Sequence, residues 1–397
     1  MPRILFVDDE PNVLGGLRRM LHGTPDWQME FATTAEQALA RLRETSFDVV
    51  VSDMRMPGTD GAQLLAEVMR QHPQTVRMIL SGQSDREGVF KSVGPTHQFL
   101  AKPCEPETLK NAIQRACSLR ARLRNENLHR LVSQVTSLPS VPAIYNQIVA
   151  TLETPDVPLR HIGEIIARDV AMTAKVLQLV NSAFFCLPRR ISSPEHAVSL
   201  LGADTVRALV LSAGIFAQFE GKAVPPSMLE GLNRHSLQVG AAAKALAAAE
   251  VTDKQIADDS LLAGLLHDVG ILVLLAHFGG SYVELLRRSQ TERRPLADVE
   301  QASLGATHAD VGAYLLGLWG LKDAIVEAVA LHHCPSDRIG RDFSPTAAVH
   351  VADCVAHENE QTVDPGSTLS HDYLASLQGQ HPADQWSETC RLALAQA

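Results

Sequence analysis

The chain has 397 residues, 45% of them hydrophobic and 20% charged, which is too long for one ordinary domain and fits two or three globular ones. A formal net charge of −10 argues against nonspecific DNA binding. The six cysteines, at 104, 117, 186, 334, 354 and 390, have no CxxC spacing and read as thiols of a reducing compartment, not as a disulfide framework. Met1-Pro2-Arg3 leads straight into an apolar run, leaving no room for a signal peptide, and the most apolar later stretch, 261–275, is broken by His267-Asp268 and too short to span a bilayer. The expectation is a cytoplasmic chain without a membrane or DNA partner.

From residue 3 to about 104, short strand-like runs (3–7, 47–52, 76–80, 97–100, and a weaker one at 28–32) alternate with helical-period stretches (11–22, 34–44, 61–72, 84–92). This spacing predicts an α/β fold, a doubly wound five-stranded parallel sheet, with ligand sites beyond the carboxyl ends of its strands. Asp8-Asp9, Asp53, Ser81 and Lys102 all fall at those ends. Three crowded carboxylates repel one another, and Mg²⁺, a hard cation with oxygen ligands, relieves that repulsion. A lysine beside them makes sense if a doubly charged phosphoryl group arrives on one carboxylate. The pattern is that of a switch phosphorylated on aspartate.

Pro106 opens a basic helix predicted to run without interruption to about 135, with apolar positions at 109, 113, 116, 119, 123 and 128. It reads as an amphipathic connector; a sharper reading is a short coiled-coil stalk joining a homodimer. After Leu138-Pro139-Ser140-Val141-Pro142 the periods are helical: 143–153, 159–167, 171–184, 194–218, 229–249, 258–276, 281–289, 308–318, 322–333 and 345–357. An all-α region is expected up to about 360, and a polar tail with a turn at Asp364-Pro365-Gly366 and one or two weak helices over 361–397.

On these positions the N-terminal part, taken as 1–120 with the connector over 106–135, resembles a response-regulator receiver domain. The resemblance implies Asp53 as phosphoacceptor, and Asp8 and Asp9 as Mg²⁺ ligands, Asp9 directly and Asp8 through a water. Arg55 would lend its backbone carbonyl, Ser81 and Lys102 would follow the phosphoryl group, and Pro103 would be cis. Phe99 occupies the aromatic switch position. A sensor histidine kinase or phosphotransfer protein is the implied donor. Electrostatics give the mechanism: a carboxylate is repelled by a dianionic donor until Mg²⁺ and Lys102 stabilise charge on the equatorial oxygens, and the attached group then draws the loops at 81–85 and 99–103 inward.

A second constellation comprises His235, His267-Asp268, His308, His332-His333 and Asp353, each in or at the end of a predicted helix. Imidazoles and carboxylates together suit Fe, Mn or Zn. His371-Asp372, by contrast, reads as the cap of a helix over 373–378. Long strings, among them Leu138-Pro139-Ser140-Val141-Pro142, Asn181-Ser182-Ala183-Phe184-Phe185, Arg234-His235-Ser236 and Leu265-Leu266-His267-Asp268-Val269-Gly270, make residues 136–360 resemble an HDOD domain, an HD-like fold divided here at 227/228. Such domains are thought of as signalling modules that have lost hydrolysis. This chain keeps the histidines and aspartates of the HD-GYP phosphodiesterases, has Ile271 where those carry lysine, and follows His332-His333 with Cys334-Pro335-Ser336-Asp337 where they carry Gly-Tyr-Pro. The resemblance therefore implies control of an unknown downstream protein, with a phosphorylation-regulated cyclic di-GMP phosphodiesterase as the alternative. Phe184 and Phe185 read as ordinary core, or alternatively as a cleft lining between the two parts.

Overall fold

The computed structural model describes residues 1–22, 27–81, 95–122, 126–135, 138–140, 142–153, 157–180, 191–202, 206, 217–218, 225–359, 368–377 and 383–395. The expected helix at 84–92, the loop at 82–85, the Asn181–Phe185 string and the turn at 364–366 lie outside them.

The N-terminal strands β1 (Arg3–Val7), β2 (Gln28–Ala32), β3 (Val49–Asp53), β4 (Val76–Ser81) and β5 (Gln98–Ala101) form one sheet in the order β2-β1-β3-β4-β5. Every neighbouring pair is parallel. Alternate residues go to opposite faces, as the pleat requires. Ile4, Phe6, Val49, Val51 and Met78 pack with Leu14 and Leu17 of α1 (Pro11–Met20) and with Leu109, Ile113 and Ala116 of α4 (Pro106–Arg122). Leu5, Val7, Val50 and Ile79 pack with Ala38 and Leu42 of α2 (Ala35–Glu44) and Leu64, Leu65 and Val68 of α3 (Gly61–Gln71). Thr34 caps α2, and Asp60 with Gln63 forms a capping box on α3, so each helix starts just after a strand.

The connector is described as two segments, α4 and α5 (Glu126–Ser133); residues 123–125, over which continuity was expected, lie outside the described residues. Its apolar positions 109, 113, 116 and 128 are buried within this chain, so they serve as a core face and leave no dimer seam at those positions.

The remainder is helical, with α6 (Pro142–Glu153), α7 (Leu159–Ala167), α8 (Val170–Val180) and α9 (Pro194–Leu201) preceding α10 (Pro226–Glu250). Then come α11 (Lys254–Leu266), α12 (Val269–Phe278), α13 (Gly280–Glu292), α14 (Leu296–Leu304), α15 (His308–Leu318), α16 (Asp323–Leu331), α17 (Pro345–Asn359), α18 (His371–Ser376) and α19 (Ala383–Leu394). Three expectations are corrected. Ala217–Gln218 is not helical but pairs in parallel with Pro139–Ser140. The stretch expected as one helix over 258–276 breaks at His267-Asp268, where Asp268 has φ −96 and ψ 12. Residues 296–304, without an element in the sequence reading, form a helix. The 254–278 stretch is long and apolar enough to cross a membrane, yet 72% of its most apolar window is buried inside the chain. Part of the polar tail is also core, since Trp386 and Cys390 of α19 are buried in the cluster that includes α10 and α17.

The sheet is tied to the helical region through buried polar groups. Arg77 on β4 is 1% exposed, and its guanidinium donates to the carbonyls of Pro95, Thr75 and, at 2.5 Å, Ser133 of α5. His97 Nδ1 accepts the Arg77 backbone N–H, which leaves Nε2 to donate to the Ser133 carbonyl at 3.0 Å. Burial lowers Arg77 to about 9 and holds His97 well below its ordinary value. Gln98 Nε2 donates to Gly317 O at 3.2 Å, and Arg115 of α4 reaches Leu321 O at 2.9 Å and Asp323 at 2.8 Å.

Lys175 of α8 is buried beside this junction, 5.1 Å over the Trp319 ring, and desolvation lowers its ammonium from 10.5 to about 7. The unfolded chain therefore binds one more proton than the folded chain between about pH 7 and the ordinary lysine value, so this residue's contribution to stability rises with pH across that window and is lost as pH falls through about 7. Lys175→Met is expected to stabilise the chain by on the order of 4 kcal/mol below pH 7, the gain shrinking towards zero near pH 10.5. Urea unfolding of both proteins at pH 6 and 9.5 checks this; an equal difference at both values contradicts it.

Candidate functional sites

The carboxyl edge of the sheet gathers the expected residues. Lys102 Nζ lies 2.7 Å from Asp8 Oδ2 and 2.5 Å from Asp53 Oδ1, and its backbone N–H donates to Ser81 O at 2.8 Å. Asp8, Asp53 and Ser81 are buried, Asp9 is half-buried, and the Lys102-Pro103 bond is cis. Burial pushes the Asp53 carboxyl above its ordinary value against the pull of Lys102. Burial also disfavours the Lys102 ammonium, but Asp53 and Asp8 more than offset it and raise its value. Arg55 contributes its backbone N–H to Asp53 Oδ2 at 2.9 Å, and Phe99 is buried in the sheet's second core. Gly61 was missed in the sequence: a Cβ there would sit 2.1 Å from Asp53 O, so only glycine lets α3 start against the end of β3.

The histidine cluster is assembled from six helix segments. His235 comes from the middle of α10, His267 and Asp268 from the α11–α12 break, and His308 from the first residue of α15, which a Thr307–Asp310 capping box starts. His332-His333 follow α16, and Asp353 lies in α17. All seven sequence-predicted residues converge. Asp268 sits in the middle: its Oδ2 is 3.3 Å from His267 Nε2 and 4.0 Å from His235 Nε2, and its Oδ1 is 3.3 Å from His308 Nε2 and 3.8 Å from His332 Nε2. Asp353 Oδ1 lies 3.1 Å from His235 and 3.5 Å from His267, and His308 Nε2 is 3.0 Å from His333 Nε2.

Two residues of this cluster escaped the sequence reading. Glu300 of α14 is fully buried and accepts from His308 N and Nδ1, both at 2.8 Å, and from the Tyr282 hydroxyl, fixing the His308 ring so that Nε2 faces Asp268. No sequence signal marked it, because its helix was unrecognised. His357 lies one turn beyond Asp353, its Nε2 3.2 Å from Asp353 Oδ1. The Asp353-x₃-His357 spacing on a helix was the available signal.

The charges divide the cluster. Burial disfavours an imidazolium at His267, but Asp268 and Asp353 outweigh it and raise the group well above its ordinary value. Burial would raise Asp268 and Asp353, but the surrounding imidazoles hold both well below the usual carboxylate range. His332 is held well below its ordinary value by burial and its neighbouring histidines, and His333 falls to about 3 for the same reasons. His332 Nε2 is buried without a hydrogen-bond partner among the described residues, facing Asp268. A buried, neutral imidazole nitrogen aimed at an ionised carboxylate is a donor set suited to a metal ion, and the ligating groups of His308, His332 and His333 lie within 4.8 Å of one another, as do those of His235, His267 and Asp268. A cleft of 590 Å³ opens onto His235, Asp268, His308 and His333 and is walled by Arg234, Arg287 and Ile271.

Close helix packing makes this convergence possible. A Cβ on Gly270 would lie 1.9 Å from His308 O, so glycine alone lets α12 cross the start of α15. Gly270→Ala is expected to cost about 2–3 kcal/mol and to displace His308. Thermal unfolding checks it, and an unchanged Tm contradicts it.

Residues 4–114 match the response regulator receiver domain and residues 138–335 match the HDOD domain. An uncharacterised protein of Treponema pallidum is 26% identical over 203 residues, covering 51% of this chain and 39% of that protein. The hydrogenase transcriptional regulatory protein HoxA of Cupriavidus necator is 29% identical over 192 residues, covering 45% and 39%. The crystal structure of the MmoQ response regulator from Methylococcus capsulatus, at 24% identity and TM-score 0.46, covers 61% of this chain and 98% of that one. The chain spans about two fifths of the length of these two curated relatives.

Proposed function

We propose that this chain, a response regulator receiver domain joined to an HDOD domain, is a phosphorelay regulator that takes a phosphoryl group on Asp53 from a sensor histidine kinase or phosphotransfer protein and controls a partner protein through its HDOD part. The observation that carries the reading is the Lys102 ammonium held between the buried carboxylates of Asp8 and Asp53 at 2.7 and 2.5 Å. Mg²⁺, held by Asp8, Asp9, Asp53 and the Arg55 carbonyl, would supply the charge neutralisation that lets a carboxylate approach a dianionic donor. Asp53 forms the new oxygen–phosphorus bond as the donor's bond to phosphorus breaks. Lys102 then turns from the Asp53 carboxylate to the phosphoryl oxygens, and Ser81 donates its hydroxyl to them. Because Lys102 N–H is bonded to Ser81 O, the ends of β4 and β5 move together.

The route outwards is supported by the contacts of β5 and α4. Gln98 and Arg115 hold Gly317, Leu321 and Asp323, the corner joining α15 to α16. The opposite ends of those two helices carry His308 and His332-His333. HD-type domains bind metals, and Fe, Mn or Zn would be held by His235, His267, Asp268, His308, His332, His333 and Asp353, tying these helix ends together. Ile271 places an apolar side chain at the cleft wall, which favours a signalling module over a phosphodiesterase. With acetyl phosphate and Mg²⁺, the wild type is expected to take up label and Asp53→Ala is not; equal labelling of both ends the proposal.

One observation favours a second reading, a regulated cyclic di-GMP phosphodiesterase: the cleft reaches Asp268 and His308 and has Arg234 and Arg287 in its walls. Fe- or Mn-loaded protein would then hydrolyse cyclic di-GMP, and the doubly substituted His267→Ala, Asp268→Ala protein would not. Absence of hydrolysis by the loaded wild type removes this reading and leaves the first standing.

A further inference from the structure

We propose that His357 is a metal ligand of the HDOD centre, adding a donor on the Asp353 side that the His-Asp strings of the sequence do not include. The inference rests on the reading of that centre as a metal site. Asp353 and His357 are four residues apart on α17, so both side chains project from one face of the helix. His357 Nε2 is 3.2 Å from Asp353 Oδ1, and the His357 ring lies 4.5 Å from the His235 ring, centroid to centroid, at 34°. The ligating groups of His235, Asp353 and His357 all fall within 4.8 Å of one another.

Asp353 Oδ1 is thus the point on which His235, His267 and His357 close, at 3.1, 3.5 and 3.2 Å. Imidazole nitrogens converging on one carboxylate oxygen at these separations are spaced as donors of a shared ion are. The remaining nitrogen of His357, Nδ1, is buried and has no hydrogen-bond partner among the described residues.

The consequence is an asymmetric centre. His308, His332 and His333 group on one side of Asp268, whereas His235, Asp353 and His357 group on the other, and His235 also groups with His267 and Asp268. With His357 the second group has three protein donors, and His267 Nε2, 3.5 Å from Asp353 Oδ1, stands next to it as a fourth. His357 also lines the cleft, so this donor stands on the side that opens to solvent. An ion held there would tie α10 to α17.

The test uses the full chain, stripped of metal and titrated with Zn²⁺ or Co²⁺, as wild type, His357→Gln and His357→Lys. Lysine keeps a cation beside Asp353 but, as an ammonium, donates no lone pair. Equilibrium dialysis with metal analysis is expected to show the affinity for one bound ion reduced by at least about tenfold in both variants. The visible Co²⁺ absorption should change in both as well, with the circular dichroism of the metal-free proteins unchanged. Wild-type affinity and spectrum in His357→Lys would make His357 a counter-charge only and overturn the inference while leaving the metal centre intact. A wild-type chain that binds neither ion would overturn both the inference and the metal reading beneath it.

Discussion

Everything at the sheet edge depends on one ammonium held between two carboxylates that water cannot fully reach. Asp8 and Asp53 are 1% and 8% exposed, and without Lys102 their ionised forms would repel across a poorly screened gap. The arrangement is satisfied but contested: Lys102 serves both carboxylates, and burial still pushes Asp53 above its ordinary value. A phosphoryl group on Asp53 would replace a single negative charge with a larger one and redraw the claim on Lys102. The backbone bond from Lys102 to Ser81 joins the ends of β5 and β4 at the point where that change would fall.

The same strands lead away from the edge into buried polar contacts. Arg77 and His97 bind Ser133, Gln98 binds Gly317, and Arg115 binds Leu321 and Asp323. Close-packed side chains have few alternative arrangements, so a displacement at the strand ends would be passed along these contacts. The two helices gripped at the Gly317–Asp323 corner end in His308 and His332-His333, and Glu300 fixes the orientation of the first. One continuous apolar core runs from Ile4 of the sheet to Tyr373 and Trp386 of the C-terminal helices.

The sheet was legible because its strands end in chemistry: an apolar run followed by Asp8, Asp53 or Lys102 marks both the element and the site. The His-Asp strings were legible for the same reason. What escaped was set by tertiary packing. Arg77 and His97 look like surface residues in a row of letters, yet carbonyls from distant turns satisfy them in the interior. Glu300 lay on an unrecognised helix, and Gly270 matters only because α15 crosses it. His357 was readable from its spacing to Asp353, but an imidazole one turn past an aspartate is common on solvent-facing helices. The predicted helix over 258–276 failed at His267-Asp268, where the chain bends as both side chains enter one cluster.

On this reading, occupancy of Asp53 is felt at the histidine-bearing helices. Hydrogen exchange over residues 308–333, measured with and without acetyl phosphate and Mg²⁺ in the wild type and in Asp53→Asn, tests it most directly. Altered protection of this segment is expected on phosphorylation of the wild type, and none in the variant. Identical exchange in phosphorylated and unphosphorylated wild type would contradict it.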